Sequence, residues 1–241
     1  MSSAGEVMGH GPGAPAGHSH PALLHHFEDL ANQKDASTFG MWVFLVTEIM
    51  FFGGLFEAYA VYREMHFQAF VHASHHLDLA LGAINTGVLI CSSLTMALAV
   101  RAAARGRRKA IVIYLLLTIV LGSVFLGIKA KEYADKFHAH LVPGAHFDAA
   151  ELVDQQGRPV SAEEARPAQI FYSLYFAMTG LHATHMIIGI PILALLAWLA
   201  RRGRFGPEYY TPVEMVGLYW HFVDIIWIFL FPLLYLIGRH H

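Results

Sequence analysis

Five apolar stretches, each near the length of a membrane-spanning helix, constrain what this chain can fold into. About 20 predominantly apolar residues in a helix cross the hydrocarbon core of a bilayer. Helix is the expected form of each stretch, because every backbone polar group in lipid needs a partner within the protein. The sequence therefore predicts an all-α, polytopic membrane protein with a bundle of five transmembrane helices. The predicted spans cover residues 39–62, 79–100, 110–129, 170–199 and 213–237.

The composition argues against the main alternative, a soluble globular domain. Hydrophobic residues make up 56% of the chain and charged residues 14%, whereas a soluble domain usually carries about 25% charged residues. The formal net charge of −2 gives no indication of nucleic-acid binding. A single cysteine, Cys91, rules out an internal disulfide and a metal site built from several thiolates.

The chain divides into a predicted tail and a predicted membrane domain. Residues 1–37, rich in Gly, Ala, Pro and His, are expected to form a flexible cytoplasmic tail, and residues 38–241 the five-helix transmembrane domain. Basic residues are concentrated in the connections at 101–109 and 201–204. Because basic loops stay on the cytoplasmic side, this pattern predicts a cytoplasmic N-terminus and a C-terminus outside.

Glu48 lies near the middle of the first predicted span. A carboxylate at that depth costs free energy unless it is protonated, paired or turned towards protein. Its presence therefore indicates a functional role as a buried membrane carboxyl. The alternative is a neutral carboxyl that bonds a neighbouring helix and serves packing alone.

Two pairs of polar residues have the three-residue spacing that places side chains on one helix face. They are His182 with His185 in the fourth span and His221 with Asp224 in the fifth. We expect these groups to join an inter-helix polar network or to contact a subunit or lipid. A metal or haem site is less favoured, since the Glu-x-x-His motif of carboxylate–histidine bundles does not occur, and a proton-conducting role stays open. The other predicted members of the network are Asn85 and Glu132.

Several motifs, in the same order, resemble the subunit III family of cytochrome c and quinol oxidases. Residues 219–230, YWHFVDIIWIFL, resemble that family's last helix, and the T-G-x-H-x-x-H-x-x-x-G pattern at 179–189 resembles the helix before it. Residues 42–52 are similar to the segment that bears the family's membrane glutamate, which reacts with carbodiimides. That property is carried over to Glu48 alone. The remaining similar segments are 85–93 and 122–133, and the resemblance covers residues 38–238.

The resemblance implies subunit III of a proton-pumping haem-copper terminal oxidase of aerobic respiration in a bacterial inner (plasma) membrane. Such a subunit supports the stability, the proton uptake and the lipid and oxygen access of the catalytic subunit. It implies no catalytic residue, cofactor or metal in this chain, with haem and copper held by subunits I and II. Bound phospholipid is expected. Membrane lipids are further expected partners. Cytochrome c and a larger respiratory supercomplex are candidate partners of the whole oxidase. Cytochrome c is the preferred electron donor, because the outer loop at 130–168 is longer than compact quinol oxidases lead us to expect.

The chain also departs from the family pattern. Many members have seven spans, and this chain has five, lacking the first two. Lys129 stands where the family leads us to expect glutamine, and at the end of a span it is expected to extend to the membrane interface. The alternatives are subunit III of a quinol oxidase and an accessory subunit of a nitric oxide reductase. From another class come a stand-alone membrane cytochrome b and a proton-coupled transporter with Glu48 as its carrier.

Overall fold

The computed structural model describes residues 27, 29–144, 147 and 162–237, with the side chains of the last range described from 165 onward. Five of its helices, α1, α3, α4, α5 and α6, are long and apolar enough to cross a membrane, which confirms the predicted all-α, five-span fold. The helices are α1 Leu30–Met65, α2 Phe67–His75, α3 Leu79–Ala104, α4 Arg108–His138, α5 Ala162–Arg201 and α6 Thr211–Tyr235.

Helix α1 begins at Leu30, before the predicted boundary between tail and membrane domain at residue 38. The Asp29 side chain accepts a hydrogen bond of 2.7 Å from the Asn32 backbone N–H and so caps the helix. Residues 30–37 are polar enough to be read as tail, because hydropathy marks the lipid-embedded part of a helix and not its extension into water. Residues 1–26 and 28 of the predicted tail lie outside the described residues, so its flexibility stays a prediction.

Helix α2 was not predicted, since its nine residues lie in a segment read as a loop. Its buried residues include Phe70 and Val71, which face the bundle near α5, α6 and the end of α1. The Tyr172 hydroxyl on α5 reaches the carbonyl of Ala73 at 3.4 Å, and Lys136 Nζ on α4 donates to the carbonyl of His76. The helix is too short to span a bilayer and covers one end of the bundle.

Helices α3, α4, α5 and α6 form a closed ring in which each packs against two others. Helix α1 lies outside this ring against α5 and α6, and among the described helices it does not contact α3 or α4. The centre of the ring is filled by Trp220, whose indole lies between Gly122 of α4 and Gly189 of α5. Small residues allow such close approach where lipid provides no hydrophobic drive for helix association.

The two basic connections lie together at one end of the bundle. Arg108, at the start of α4, donates from Nε to the carbonyl of Ala200 at 3.0 Å, and its guanidinium also bonds the carbonyl of Arg201. These carbonyls belong to the last turn of α5, beyond which no helical N–H follows, and the Ala200 carbonyl also accepts from the Gly203 backbone N–H at 3.0 Å. Arg108 therefore caps α5 and fixes the turn between α3 and α4 against the connection from α5 to α6.

Candidate functional site

Glu48 forms an ion-pair contact with His185, joining α1 to α5. Its Oε2 lies 3.2 Å from His185 Nε2, and the two side chains are 20% and 12% exposed. His185 Nδ1 lies 2.9 Å from the carbonyl of Leu181. Because a carbonyl only accepts, Nδ1 is the donor in that bond, which leaves Nε2 as the ring nitrogen that faces the Glu48 carboxyl. The contact thus brings an imidazole nitrogen and a carboxyl oxygen together near the middle of α1.

The surroundings of this pair are aromatic. The Phe52 ring lies 5.6 Å from the His185 ring, and the Tyr219 ring 6.2 Å from it. The Tyr219 hydroxyl donates to the His185 carbonyl at 2.9 Å. These rings leave the pair partly exposed where α1 lies against α5, in a surrounding of low polarity that strengthens the electrostatic attraction between charged side chains.

Lys129 and Glu132 form a second buried cluster between α4, α5 and α6. Lys129 Nζ lies 3.0 Å from Glu132 Oε2, 3.0 Å from the Tyr175 hydroxyl and 3.1 Å from the Tyr235 hydroxyl. Both hydroxyls donate to Glu132 Oε1, at 2.7 and 2.5 Å. The Lys129 side chain is 4% exposed, so the prediction that it extends to the membrane interface is wrong. The acceptors that these three residues supply inside the bundle outweigh the attraction of the interface.

His221 and Asp224 lie beside α3, as their spacing on α6 predicts for residues of one face. His221 Nδ1 is hydrogen bonded to the Ser93 hydroxyl at 2.7 Å. Asp224 is 3% exposed, and neither of its carboxyl oxygens has a hydrogen-bond partner. The three side chains line one recess between α3 and α6.

His182 and Asn85 lie inside the ring of helices. His182 is 1% exposed, with neither ring nitrogen hydrogen bonded, and its ring lies 5.3 Å from Phe125 and 5.1 Å from Trp227. Asn85 Nδ2 donates to the Phe125 carbonyl at 3.4 Å, and its Oδ1 has no partner. His182 and His185 therefore serve different neighbours although they share a helix face, because α4 and α6 pack on one side of that face and α1 on the other.

The structure thus distributes the predicted polar residues over four places, of which the interior of the ring, with His182 and Asn85, is one. Glu48 is brought together with His185, and His221 with Asp224, while Glu132 belongs to the Lys129 cluster. Sequence reasoning missed the two tyrosines of that cluster, Tyr175 and Tyr235, because tyrosine is common in membrane helices for other reasons. It also missed Ser93 as the partner of His221. The Ser92–Ser93 pair could have indicated this, since both hydroxyls bond α6, Ser92 at Trp220 and Ser93 at His221.

No three His, Cys, Asp or Glu side chains converge in a way that could hold a metal ion, in the part of the chain that the structure describes. The single cysteine, Cys91, is exposed on α3. The histidines of the predicted tail lie outside the described residues.

Comparison with known proteins identifies the family. The family model for cytochrome c oxidase subunit III matches residues 25–150 and 160–239, which include all five spans. The chain belongs to the cytochrome c oxidase subunit III family. It is therefore a multi-pass membrane protein and a member of a respiratory oxidase complex, in which a subunit III associates with the other oxidase subunits.

The relatives of this family member include subunits of two kinds of oxidase. It is 33% identical over 210 residues to a cytochrome c oxidase subunit 3 of Thermostichus vulcanus, covering 85% of this chain and 89% of the relative. It is 32% identical over 200 residues to a quinol oxidase subunit 3 of Bacillus subtilis, covering 83% and 86%. A cytochrome bo(3) ubiquinol oxidase subunit 3 of Pseudomonas aeruginosa is 30% identical over 216 residues, covering 88% and 91%.

Proposed function

We propose that this chain is subunit III of a proton-pumping haem-copper terminal oxidase of the bacterial inner membrane, and that it holds no redox centre itself. Haem and copper would then reside in subunits I and II, with which this chain assembles. The observation that carries the proposal is the match of the cytochrome c oxidase subunit III family model over all five spans. The contacts Glu48–His185 and Ser93–His221 join helices of the bundle, as expected of polar groups that serve packing and subunit contact.

The proposed role of the Glu48–His185 pair is to support proton uptake and turnover stability in the catalytic subunit. The pair brings an imidazole and a carboxyl together near the middle of α1, and it joins the peripheral helix α1 to α5. Loss of the carboxylate would leave His185 without its partner. In a Glu48→Ala oxidase we expect activity to decline faster during turnover than in the parent enzyme.

Glu57 provides a matched control for this variant, because it is an exposed carboxylate on the same helix. A Glu57→Ala oxidase should keep the parent's decay rate. Full assembly together with the parent's turnover stability in the Glu48→Ala oxidase would contradict the role proposed for the pair. The measurement is oxygen consumption by the purified complex, followed over many turnovers.

We propose that the groove between α1 and α6 holds a phospholipid acyl chain and serves lipid and oxygen access. The groove has a volume of about 500 Å³, and apart from His221 its lining is apolar, including Trp42, Phe56 and Phe229. An apolar surface of that kind suits a hydrocarbon chain and dissolved oxygen, and offers nothing to a polar ligand. Native mass spectrometry of the purified complex should detect bound lipid in the parent protein. An Ile49→Trp substitution in the groove should displace that lipid.

The electron donor is proposed to be cytochrome c, with quinol as a second candidate. The length of the outer connection between α4 and α5 favours cytochrome c, whereas the quinol oxidase relatives favour quinol. Oxidation rates of reduced cytochrome c and of a quinol by the same purified complex decide between them.

Purification of the native complex through a tag on this chain tests the proposal as a whole. Metal analysis and the reduced-minus-oxidised spectrum should show that haem and copper co-purify with larger partner subunits. When this chain is expressed alone, neither haem nor copper should be found on it. Haem that stays on the isolated chain would overturn the proposal and make His182, His185 and His221 candidate ligands.

The proposed orientation has the N-terminus in the cytoplasm. It rests on the two basic connections, which Arg108 fixes together at one end of the bundle. In a Cys91→Ser background, an impermeant maleimide added to spheroplasts should label a Gln68→Cys variant at the end of the bundle that α2 covers. An Arg204→Cys variant should be labelled only after permeabilisation. Both positions are exposed, and the reverse labelling pattern would invert the topology.

A further inference from the structure

A polar recess opens on the side of the bundle between α3 and α6. Its volume is about 220 Å³, and Ser93, His221 and Asp224 form its polar wall. Its apolar rim includes Ile90, Leu94 and Ile228, three large side chains that are exposed on the outer surface of the bundle. The site already described for Glu48 and His185 does not include any of these residues.

Asp224 is the unsatisfied group of this recess. It is 3% exposed, and both carboxyl oxygens lack a hydrogen-bond partner. Ser93 lines the same recess, and its hydroxyl is hydrogen bonded to His221 at 2.7 Å, while neither Asp224 oxygen accepts a hydrogen bond from it. A buried polar group without a partner is rare in a native protein and needs an explanation. Asp224 differs from His182, which is enclosed in the ring of helices, because it lines a recess on the side of the bundle.

The depth of Asp224 restricts where that partner can come from. Asp224 lies near the middle of α6 and Ser93 near the middle of α3, both of which are helices long enough to cross the membrane. The middle of the hydrocarbon core lies about 15 Å from either headgroup layer. Acyl chains carry no hydrogen-bonding group, so a lipid in the recess would leave the carboxyl unsatisfied.

The groove between α1 and α6, on the other side of His221, differs from the recess in its polarity. That groove is apolar except for His221, and a hydrocarbon chain satisfies it. Between groove and recess runs an exposed ridge of α6 that contains Ile225 and Phe229. A ridge with a depression on each side has the shape onto which another transmembrane helix packs.

We propose that this face of α3 and α6 docks a transmembrane helix of a partner subunit, and that a hydroxyl or amide side chain of this helix enters the recess to bond Asp224. Hydroxyl and amide groups can both donate and accept, so they satisfy the carboxyl in either protonation state. The inference rests on the proposed function, since it requires that the chain assembles with membrane-embedded subunits. It adds the face that they contact.

Photo-crosslinking in native membranes tests the docking face without altering Asp224. A benzoylphenylalanine in place of Leu94, on the rim of the recess, should form an adduct with a partner subunit after illumination of the tagged complex. Digestion and mass spectrometry should place the adduct in one transmembrane segment that contains Ser, Thr, Asn or Gln. The same probe in place of Val120, an exposed residue of α4, measures background. Lipid adducts alone at Leu94, or protein adducts at the Val120 level, would overturn the proposal.

Two substitutions of Asp224 test the hydrogen bond. Asp224→Leu removes the bonding group, and we expect the partner subunits recovered per tagged chain to fall about fivefold in mild detergent. Asp224→Asn keeps the bonding ability and should recover most of them. Equal recovery for Asp224→Leu and the parent chain would overturn the proposal. Should Asp224→Leu fail to accumulate in the membrane, the Leu94 adduct decides.

The two proposals fail in different ways. If haem and copper co-purify with the parent chain but Leu94 gives no partner adduct, the subunit role stands and the docking face is wrong. If no haem-bearing partner co-purifies with the parent chain, the proposed function fails first, and the docking face fails with it.

Discussion

Lys129 is a charged side chain whose every donor is matched inside the bundle. An ammonium group has three N–H donors, and Glu132, Tyr175 and Tyr235 supply three acceptors at 3.0 to 3.1 Å. The Tyr175 and Tyr235 hydroxyls in turn donate hydrogen bonds to Glu132. The cluster is therefore closed, and it joins α4, α5 and α6 through bonds that tolerate little displacement.

Replacement of Lys129 should strongly destabilise the protein, because it leaves the Glu132 carboxylate buried without its counter-charge. Breaking a buried ion pair in this way costs about 3–5 kcal/mol. We expect Lys129→Met to lower the thermal unfolding temperature of the detergent-solubilised complex. Lys131→Met, an exposed lysine two residues further on, is the control and should leave that temperature unchanged. Equal unfolding temperatures for the two variants would show that the cluster contributes no stability.

Gly122 and Gly189 make room for the Trp220 indole. A Cβ at Gly122 would lie 3.0 Å from two ring carbons, and one at Gly189 would lie 2.9 Å from the nearest. Overpacking of this kind typically costs about 1–3 kcal/mol. We expect Gly122→Ala and Gly189→Ala to lower the unfolding temperature and to shift the tryptophan fluorescence.

Gly127 provides the control for this prediction. It lies on the same helix as Gly122, and a Cβ there meets no atom within 4 Å. Gly127→Ala therefore gains the helix propensity of alanine without a clash. The role of the glycines as spacers would be refuted if Gly122→Ala were as stable as Gly127→Ala.

At the scale of elements, α1 and α2 depend on the four-helix ring to different extents. Helix α1 is the least buried of the spans and is attached through the Glu48–His185 pair and the Tyr59 hydroxyl, which donates to the Leu233 carbonyl at 2.6 Å. Helix α2 is short and is held by its apolar face. Phe70 is its most enclosed ring, 5.4 Å from both Tyr59 and Phe171.

Phe70→Ala should release α2 from the end of the bundle. Truncation of a buried phenylalanine costs about 3–5 kcal/mol. Because Phe70 is the largest buried side chain of α2, we expect its loss to appear as faster proteolysis of the segment between α1 and α3 in intact complexes. Phe67→Ala, at an exposed ring three residues earlier, should be cut at the parent rate. Resistance of the Phe70→Ala protein at the parent level would show that α2 is held by its backbone contacts alone.

The whole molecule has an outer surface with two kinds of membrane-facing depression. The groove beside α1 is apolar, and the recess between α3 and α6 contains an unsatisfied carboxyl. Large apolar side chains are exposed on all five spans. In a soluble protein this surface would cause aggregation, whereas in a bilayer it is the surface that lipid and partner helices cover. Together with the family, this surface fits the proposed role of a subunit that contacts lipid and partner helices.

The amino-acid sequence by itself determined the number of spans and their helical form, and it predicted which polar residues lie within them. It could do so because the bilayer fixes helix length and penalises each polar group locally, residue by residue. The motifs around Glu48, His185 and Asp224 could be recognised because each is a continuous run of residues within one span.

Only the tertiary structure decided which of these groups meet. The packing of the helices decides that Glu48 contacts His185, that Lys129 points into the bundle and that His182 has no hydrogen-bond partner. The spacing of residues along one helix does not contain that information. Helix α2 and the start of α1 at Leu30 also escaped sequence reasoning, because neither is marked by membrane hydropathy. Helix packing brings Glu48, Glu132 and His221 beside side chains that they contact, and it leaves the His182 ring and the Asp224 carboxyl buried without a hydrogen-bond partner.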